Sequence, residues 1–307
     1  MRKRLWIALQ AALGVAVAYA VARSLIRNWD QLTAAGIHLA FRPLPLALSI
    51  AVVLATYGLL IESWRRVLSG WAQRIPFPVA ARIWAVSNLG RYLPGKVWSV
   101  AGMAVLAQRA GVAPWAAAGS AIILQALAVG TAAAMVAATA PAAASALSLT
   151  VASACAALTI AAVSWPPVAR RLFRLAPKLG ASEAPPLGGG AILLGTAATL
   201  AAWAAYGLAL KLWAEGTLGG GASGLDWATA TGAFTASYVI GLLALFAPGG
   251  LLVREGVMFA LLQGPLGPAN ALALAIGSRL LLTFTEITAA VVGLTWRAGR
   301  TNDQRLP

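Results

Sequence analysis

Runs of apolar residues about as long as a membrane is thick recur along this chain, and they constrain its fold more than any other feature. About 20 apolar residues in a helix span the hydrocarbon core of a bilayer. Only 10% of the 307 residues are charged, against about a quarter in soluble domains. The runs do not alternate as barrel strands do, so helices must pair the backbone polar groups. We therefore predict an all-α polytopic integral membrane protein with six full transmembrane helices, at Leu5–Ile26, Leu44–Ser63, Pro114–Thr139, Ala143–Ser164, Ala191–Ala214 and Ala269–Trp296.

Two further apolar regions are interrupted by proline and glycine. Val79–Arg109 contains Leu93-Pro94-Gly95-Lys96, and Trp227–Leu262 contains Ala247-Pro248-Gly249-Gly250. Proline removes a backbone donor and clashes with the preceding turn, while glycine accepts almost any backbone angle. Each region is therefore predicted to form two helical pieces that meet at a break. The sequence leaves open whether a broken region re-enters on one side or crosses twice, and we favour re-entrance.

The two broken regions share a register within what we take to be a single integral membrane domain, 1–307. Pro94 corresponds to Pro248, and each is followed by a glycine after eight residues and by a second proline after twenty. This predicts two repeat units, 79–139 and 227–296. If the units have opposite orientations, they form an inverted repeat whose broken helices meet near the membrane midplane, as in many secondary transporters.

The charge is strongly positive, with 23 Lys and Arg residues against 8 Asp and Glu. The basic residues lie in short loops and not in one soluble patch, so we expect no nucleic acid as partner. Most of them fall on one predicted face, which holds the N-terminus, the Trp64–Pro78 loop, a basic linker at 165–190 and the C-terminal tail. Because Lys and Arg accumulate on the cytoplasmic side, both termini of this multi-pass protein are predicted to be cytoplasmic, in the cell membrane.

The first apolar stretch has two interpretations. Arg2, Lys3 and Arg4 precede it, and Ala18-Tyr19-Ala20 resembles a signal-peptidase site. We favour a retained first transmembrane helix, because the stretch is long enough to span and the charge balance requires it. The single cysteine lies in an apolar run and the single histidine in a loop, so we expect no disulfide, metal or cofactor.

Ionisable groups within the apolar segments are the candidates for function, because such groups are costly in a membrane. The first set flanks the first break and comprises Asn88, Arg91, Tyr92, Gly95 and Lys96. A helix starting near Gly95 would direct unpaired N–H groups and a partial positive charge at the break, which suits a phosphate. The alternative is a proline kink whose basic side chains extend to the membrane interface.

The second set lies at the second break and comprises Gly249, Gly250, Arg254 and Glu255. A helix is expected to start at the glycines, with Arg254 about one turn in. Arg254 would bind a lipid headgroup, and Glu255 would act as its counter-ion. The alternative is a local ion pair that only neutralises itself.

The third set occupies one face of the last long helix, because Arg279, Thr283 and Glu286 are spaced i, i+4 and i+7. A charged stripe on an apolar helix should face the protein interior or a water-filled cavity. Arg279 would hold a headgroup phosphate, and Glu286 would bind an amine or a proton. Alternatively, both residues pair with other helices, for example Arg279 with Glu255.

Both breaks resemble motifs of the lysylphosphatidylglycerol synthase transmembrane (flippase-like) family. Residues 87–98, SNLGRYLPGKVW, resemble its Y-[IL]-P-G-K-[VLI]-W signature, and residues 248–256, PGGLLVREG, resemble its P-G-G-x-G-x-R-E motif, with Leu252 in place of glycine. The resemblance implies a membrane domain that moves lipids between leaflets, aminoacylated phosphatidylglycerol in the best-known members. Since this chain ends at Pro307, we expect a stand-alone member without the aminoacyltransferase domain.

The sequence therefore predicts a flippase or transporter for an anionic or phosphate-containing lipid, such as an aminoacylated or polyprenyl-linked one, and not an enzyme. The headgroup would be held at two half-helix N-termini, with Glu255 or Glu286 coupling protons. Its partners would be the membrane lipid substrate and the bilayer. Two other functions stay open: an accessory membrane subunit for a separate glycosyltransferase or lipid-modifying enzyme, and an integral membrane lipid-phosphate transferase. The latter usually needs clustered carboxylates, and no obvious pair lies in the predicted external loops.

Overall fold

The protein is described by a computed structural model that covers residues 40–92, 98–139, 146–165, 167–168, 187–244 and 250–295. Throughout these ranges the regular secondary structure is helical and strands are absent, which confirms the predicted all-α class. Single 3-10 turns follow α2 (Leu89–Tyr92) and α6 (Gly219–Ala222). The α-helices are α1 Pro43–Ser69, α2 Phe77–Asn88, α3 Trp98–Gln108, α4 Pro114–Thr139, α5 Ala146–Ser164, α6 Gly189–Leu218, α7 Trp227–Leu243, α8 Val253–Leu266 and α9 Pro268–Thr295.

Four helices in the described ranges are long and apolar enough to cross a membrane: α1, α4, α6 and α9. They correspond to four of the six predicted full-length helices, and α4 has the predicted bounds. The α5 helix is not one of the four, because its described apolar stretch, Thr150–Ala161, is shorter. The first predicted helix, Leu5–Ile26, lies outside the described residues, as do the polar linker residues 169–186.

Two of the long helices continue beyond their predicted ends because ion pairs support the added turns. In α1, Glu62 pairs with Arg65 and Arg66, and the helix continues to Ser69. In α6, Lys211 pairs with Glu215 four residues later, and the helix continues to Leu218. Such i, i+3 and i, i+4 pairs stabilise a helix surface where the sequence is no longer apolar.

The helical path changes at both predicted breaks. The α2 helix ends at Asn88 and gives way to the 3-10 turn, while α7 ends at Leu243. The helix after the second break begins at Val253, later than the predicted start at the glycines. The reason is local, because Gly250 and Leu252 have φ angles of 71° and 67°, which an α-helix does not allow. Residues 93–97 and 245–249 lie outside the described residues.

The helices α1–α4 and the helices α6–α9 make corresponding contacts. The α2 helix packs against α9, and correspondingly α7 packs against α4. The α3 helix packs on both α2 and α4, as α8 packs on both α7 and α9. The α1 and α6 helices, which precede the two broken regions, pack along each other. This reciprocity is the arrangement that two related four-helix units would produce.

Small residues allow these helices to approach closely, as is usual in membrane helix bundles. A Cβ added at Gly207 of α6 would lie 1.9 Å from Oγ1 of Thr231 on α7. A Cβ added at Gly216 would lie 2.6 Å from a side-chain carbon of Leu46 on α1. Ser49 Oγ donates a hydrogen bond to the carbonyl of Ala209, at 2.7 Å. The α6 helix is thereby fixed between α1 and α7, and it carries part of the aromatic wall of the site described below.

Candidate functional site

The charged residues of α8, α9 and the turn after α2 come together inside the helix bundle. Arg254 is 6% exposed, and Arg279 and Glu286 are each 5% exposed. The site joins residues that are far apart in the sequence, and its described polar members are Asn88, Arg91, Tyr92, Arg254, Glu255, Arg279, Thr283 and Glu286. We call this set the charged cluster.

Glu286 is the centre of the first half of the charged cluster. Its Oε1 accepts a hydrogen bond from Arg91 Nη1 at 2.7 Å, and its Oε2 accepts one from the Tyr92 hydroxyl at 2.8 Å. The 3-10 turn brings Arg91 next to Asn88, whose Oδ1 accepts a hydrogen bond from Arg91 Nη2 at 2.9 Å. The Tyr92 hydroxyl also lies 3.3 Å from Oγ1 of Thr283. Glu286 is therefore the counter-ion of Arg91 and attaches the first break to α9.

Arg279 and Glu255 form the second half of the charged cluster. Arg279 Nη1 donates to Glu255 Oε1 at 3.0 Å. This is the pairing that the sequence left open as the alternative to a phosphate site at Arg279. The guanidinium carbon of Arg279 also lies 5.9 Å from the centre of the Tyr92 ring, within the range of a cation–π contact. Tyr92 therefore contacts both halves, because its hydroxyl binds Glu286 and its ring faces Arg279.

Arg254 differs from the other two arginines because no carboxylate among the described residues pairs with it. Glu255, which the sequence suggests as its counter-ion, pairs with Arg279 instead. The guanidinium carbon of Arg254 lies 5.0 Å from the ring centre of Phe234 and 5.5 Å from that of Tyr238. Within the described ranges, its Nε and Nη2 have no hydrogen-bond partner. A desolvated cation–π contact contributes about 2 kcal/mol, whereas the desolvation of an ion costs several kcal/mol. The aromatic rings therefore offset only part of the cost of burying Arg254.

The backbone around Arg254 is fixed by a close approach between the end of α7 and the turn before α8. A Cβ added at Gly241 would lie 3.0 Å from Cβ of Arg254, and one added at Gly250 would lie 3.1 Å from the backbone of Gly241. Leu252 adopts a positive φ at the position where the motif that this segment resembles has glycine. The turn is therefore made with leucine at the cost of strain, about 1–2 kcal/mol for a left-handed L-residue.

The structure brings together all the predicted site residues whose side chains it describes. The stripe of Arg279, Thr283 and Glu286 does face the protein interior, as its spacing predicted. Gly250 is buried beside Gly241. Gly95, Lys96 and Gly249 lie outside the described residues. The two half-helix N-termini at these glycines therefore stay predictions.

Sequence reasoning missed the aromatic wall of the site. Tyr206 of α6 stacks on Phe234 of α7 with ring centres 5.0 Å apart, and Phe234 stacks on Tyr238 at 6.2 Å. Trp203 meets Tyr238 edge-on at 5.5 Å. A signal was present, because Phe234 and Tyr238 are spaced i, i+4 on the helix that leads into the second break. This spacing puts both rings on one face, where a buried cation can rest on them.

The described residues of the charged cluster comprise three guanidinium groups and two carboxylates, so one positive charge is left over. Arginine recognises phosphate and carboxylate through directed, charge-assisted hydrogen bonds. The described cluster is thus suited to one monoanion. Among the described residues, no group of three His, Cys, Asp or Glu side chains could hold a metal ion.

An apolar groove of about 560 Å³ lies apart from the charged cluster, between α1, α6 and α9. On α9 it is lined by Leu280, Leu281 and Phe284. At 100° per residue, these positions point away from the stripe of Arg279 and Glu286. The groove therefore belongs to the outer surface of the bundle.

Fold and site together define the class of this protein: a helical bundle whose described part contains four helices able to span a membrane and a charged cluster in its interior. The sequence matches no protein-family model, and it matches no curated protein. The resemblance to the flippase-like family therefore remains one of motifs, and function must be argued from the site.

Proposed function

We propose that the protein is a transporter that moves a phosphate-containing anionic lipid between the two leaflets of the cytoplasmic membrane. The headgroup would bind at Arg254 inside the bundle, while the acyl or polyprenyl chains remain in the bilayer. No chemical step on the lipid is part of this proposal, so the protein is not proposed to be an enzyme.

The observation that carries the proposal is the buried guanidinium of Arg254, which rests on Phe234 and Tyr238 without a carboxylate partner among the described residues. Arg91 and Arg279, in contrast, each have a glutamate. A buried polar group without its partner costs free energy that a bound ligand recovers. A lipid phosphate supplies both the negative charge and the oxygen acceptors that Nε and Nη2 require.

The packing of the bundle supports movement of one unit against the other. The Arg91–Glu286 pair joins the break of the first unit to the long helix of the second, so a change in this contact would change how the units meet. Reciprocal packing of two related units is a common basis for alternating access. We propose that the units are an inverted repeat, that the broken regions are re-entrant, and that both termini are cytoplasmic.

The test is exchange of fluorescent phospholipids in liposomes that contain the purified protein. A membrane-impermeant reductant bleaches the outer leaflet, and the slower loss of signal then reports the exchange of inner-leaflet lipid. The wild type is expected to exchange anionic phospholipid faster than protein-free liposomes do. Arg254→Ala is expected to remove this activity, because the phosphate then lacks its unpaired cation.

Arg74→Ala is the matched control, because Arg74 is an exposed arginine outside the charged cluster. It should exchange lipid at the wild-type rate, and both variants should keep the wild-type helical content by circular dichroism. Equal exchange by Arg254→Ala and wild type would overturn the site. No exchange of any lipid by well-folded protein would overturn the transport function and favour the accessory-subunit or transferase alternative.

A further inference from the structure

We infer that the headgroup is a phosphodiester that ends in hydroxyl groups, of the glycerol or sugar type, and not one that ends in an ammonium. This inference rests on the proposed function and names the substrate class of the same site. It follows from a further unsatisfied atom in the charged cluster, Oε2 of Glu255, which is the residue next to Arg254.

Among the described residues, only one of the two carboxylate oxygens of Glu255 has a hydrogen-bond partner. Its Oε1 accepts from Arg279 Nη1, while Oε2 is buried and has no hydrogen-bond partner among the described residues. Arg254 has the opposite deficiency, with two guanidinium nitrogens whose N–H groups lack an acceptor in the same described ranges. Buried polar groups in folded proteins are nearly always paired. The ligand that completes both residues must therefore accept hydrogen bonds at one group and donate one at another.

The charges of the cluster decide which kind of donor the ligand carries. Arg91 is paired with Glu286 and Arg279 with Glu255, which leaves the charge of Arg254 among the described residues. One phosphodiester monoanion neutralises that charge. A hydroxyl that donates to Glu255 then leaves the cluster neutral, whereas an ammonium would add back a positive charge in a site of low dielectric.

A further unsatisfied donor points to the same class of ligand. Within the described residues, Nδ2 of Asn88 is buried without a partner, while Oδ1 of the same amide accepts from Arg91. A hydroxyl oxygen accepts such a bond, and an ammonium has no lone pair with which to accept it. A choline group offers neither a donor to Glu255 nor an acceptor to Asn88.

The experiment compares headgroups on one and the same fluorescent diacyl chain, in liposomes that contain the wild-type protein. The four lipids are phosphodiesters of glycerol, inositol, ethanolamine and choline. Glycerol is expected to exchange roughly tenfold faster than choline, the effect of about one hydrogen bond to a charged group. Ethanolamine should lie between them. Inositol exchange as fast as that of glycerol extends the class to ring polyols, and slow inositol exchange restricts it to glycerol.

The near-isosteric variant Glu255→Gln tests the residue itself. It should reduce the ratio of glycerol to choline exchange at least threefold, because a neutral amide oxygen accepts a weaker hydrogen bond than a carboxylate. Arg74→Ala should leave the ratio unchanged. Equal exchange of the four headgroups, or fastest exchange of ethanolamine, would overturn this inference and leave the proposed function standing. Absence of all exchange overturns the proposed function instead.

Discussion

The two breaks of the chain hold their arginines in opposite ways. At the first break, Arg91 is bound by a glutamate and an asparagine. At the second break, Arg254 rests on two aromatic rings and lacks a carboxylate among the described residues. Under the proposed function this difference separates two tasks, because a paired arginine holds helices together and one without a carboxylate partner is available to a ligand. The predictions below test this division.

The largest effect is expected from Arg91→Met. Removing one partner of a buried ion pair leaves the other charge uncompensated, and Glu286 is almost fully buried. The variant should lose about 3 kcal/mol of unfolding free energy, toward the lower end of the range for buried pairs. Thermal unfolding in detergent, with Arg74→Met as the control, measures the loss. Wild-type stability of Arg91→Met would contradict the assigned role of Glu286 as a counter-ion.

Arg254→Met should behave in the opposite way. Replacing a buried, unpaired charge by an apolar side chain of similar volume should raise the free energy of unfolding by about 1–2 kcal/mol. Lipid exchange should nevertheless fall to the level of protein-free liposomes. Gain of stability together with loss of function is the pattern of a residue kept for its ligand. A loss of stability as large as that of Arg91→Met would show that Arg254 has a structural partner.

Tyr92→Phe separates the two contacts of Tyr92. The ring that faces Arg279 remains, and the hydrogen bond to Glu286 is lost. Because the acceptor is a buried carboxylate, the variant should lose about 1.5 kcal/mol of unfolding free energy. Combined with Arg91→Met it should cost less than the sum of the two single effects, since both residues bind Glu286. Full additivity in this double-mutant cycle would show that the two contacts are independent.

The smallest effect is expected from Leu252→Gly, which introduces the glycine of the motif that this segment resembles. The side chain of Leu252 is 75% exposed, so little packing is lost, and the strain of its positive φ is relieved. Glycine also adds entropy to the unfolded chain, and this cancels part of the gain. The net gain in unfolding free energy is expected to be about 0.5 kcal/mol. Gly241→Ala, in the facing helix, should be destabilising because its Cβ would press on Arg254. A loss of stability in Leu252→Gly would mean that the leucine side chain has a packing role.

Hydropathy and the positions of the prolines predict most of the helices of the fold. The bounds of α4 were predicted to the residue, because Pro114 fixes its start and an unbroken apolar run follows. The α1 and α6 helices end later in the structure than hydropathy predicts. Hydropathy detects where the apolar stretch stops, and the helices continue through Arg65 and Glu215 because local ion pairs stabilise them there.

The sequence predicts which residues form the site better than it predicts which of them contact each other. Arg279, Thr283 and Glu286 were placed on one interior face by their spacing alone. The partner of Glu286 was not predicted, because Arg91 lies 195 positions away and only the packing of α2 on α9 brings the two together. Phe234 and Tyr238 were missed because aromatic residues in an apolar helix resemble ordinary core until a cation is found beside them.

The pairing of Arg91 with a glutamate of α9 also affects how the protein is made. Chains are synthesised from the N-terminus, and earlier segments generally fold first. The helix that supplies the counter-ion of Arg91 is α9, the last helix of the described chain. Until α9 has emerged from the ribosome and joined the bundle, the first half of the protein carries an uncompensated charge. The nascent protein can therefore complete its interior only after α9 has been synthesised, and a chain arrested before α9 would retain a charged residue without its counter-ion.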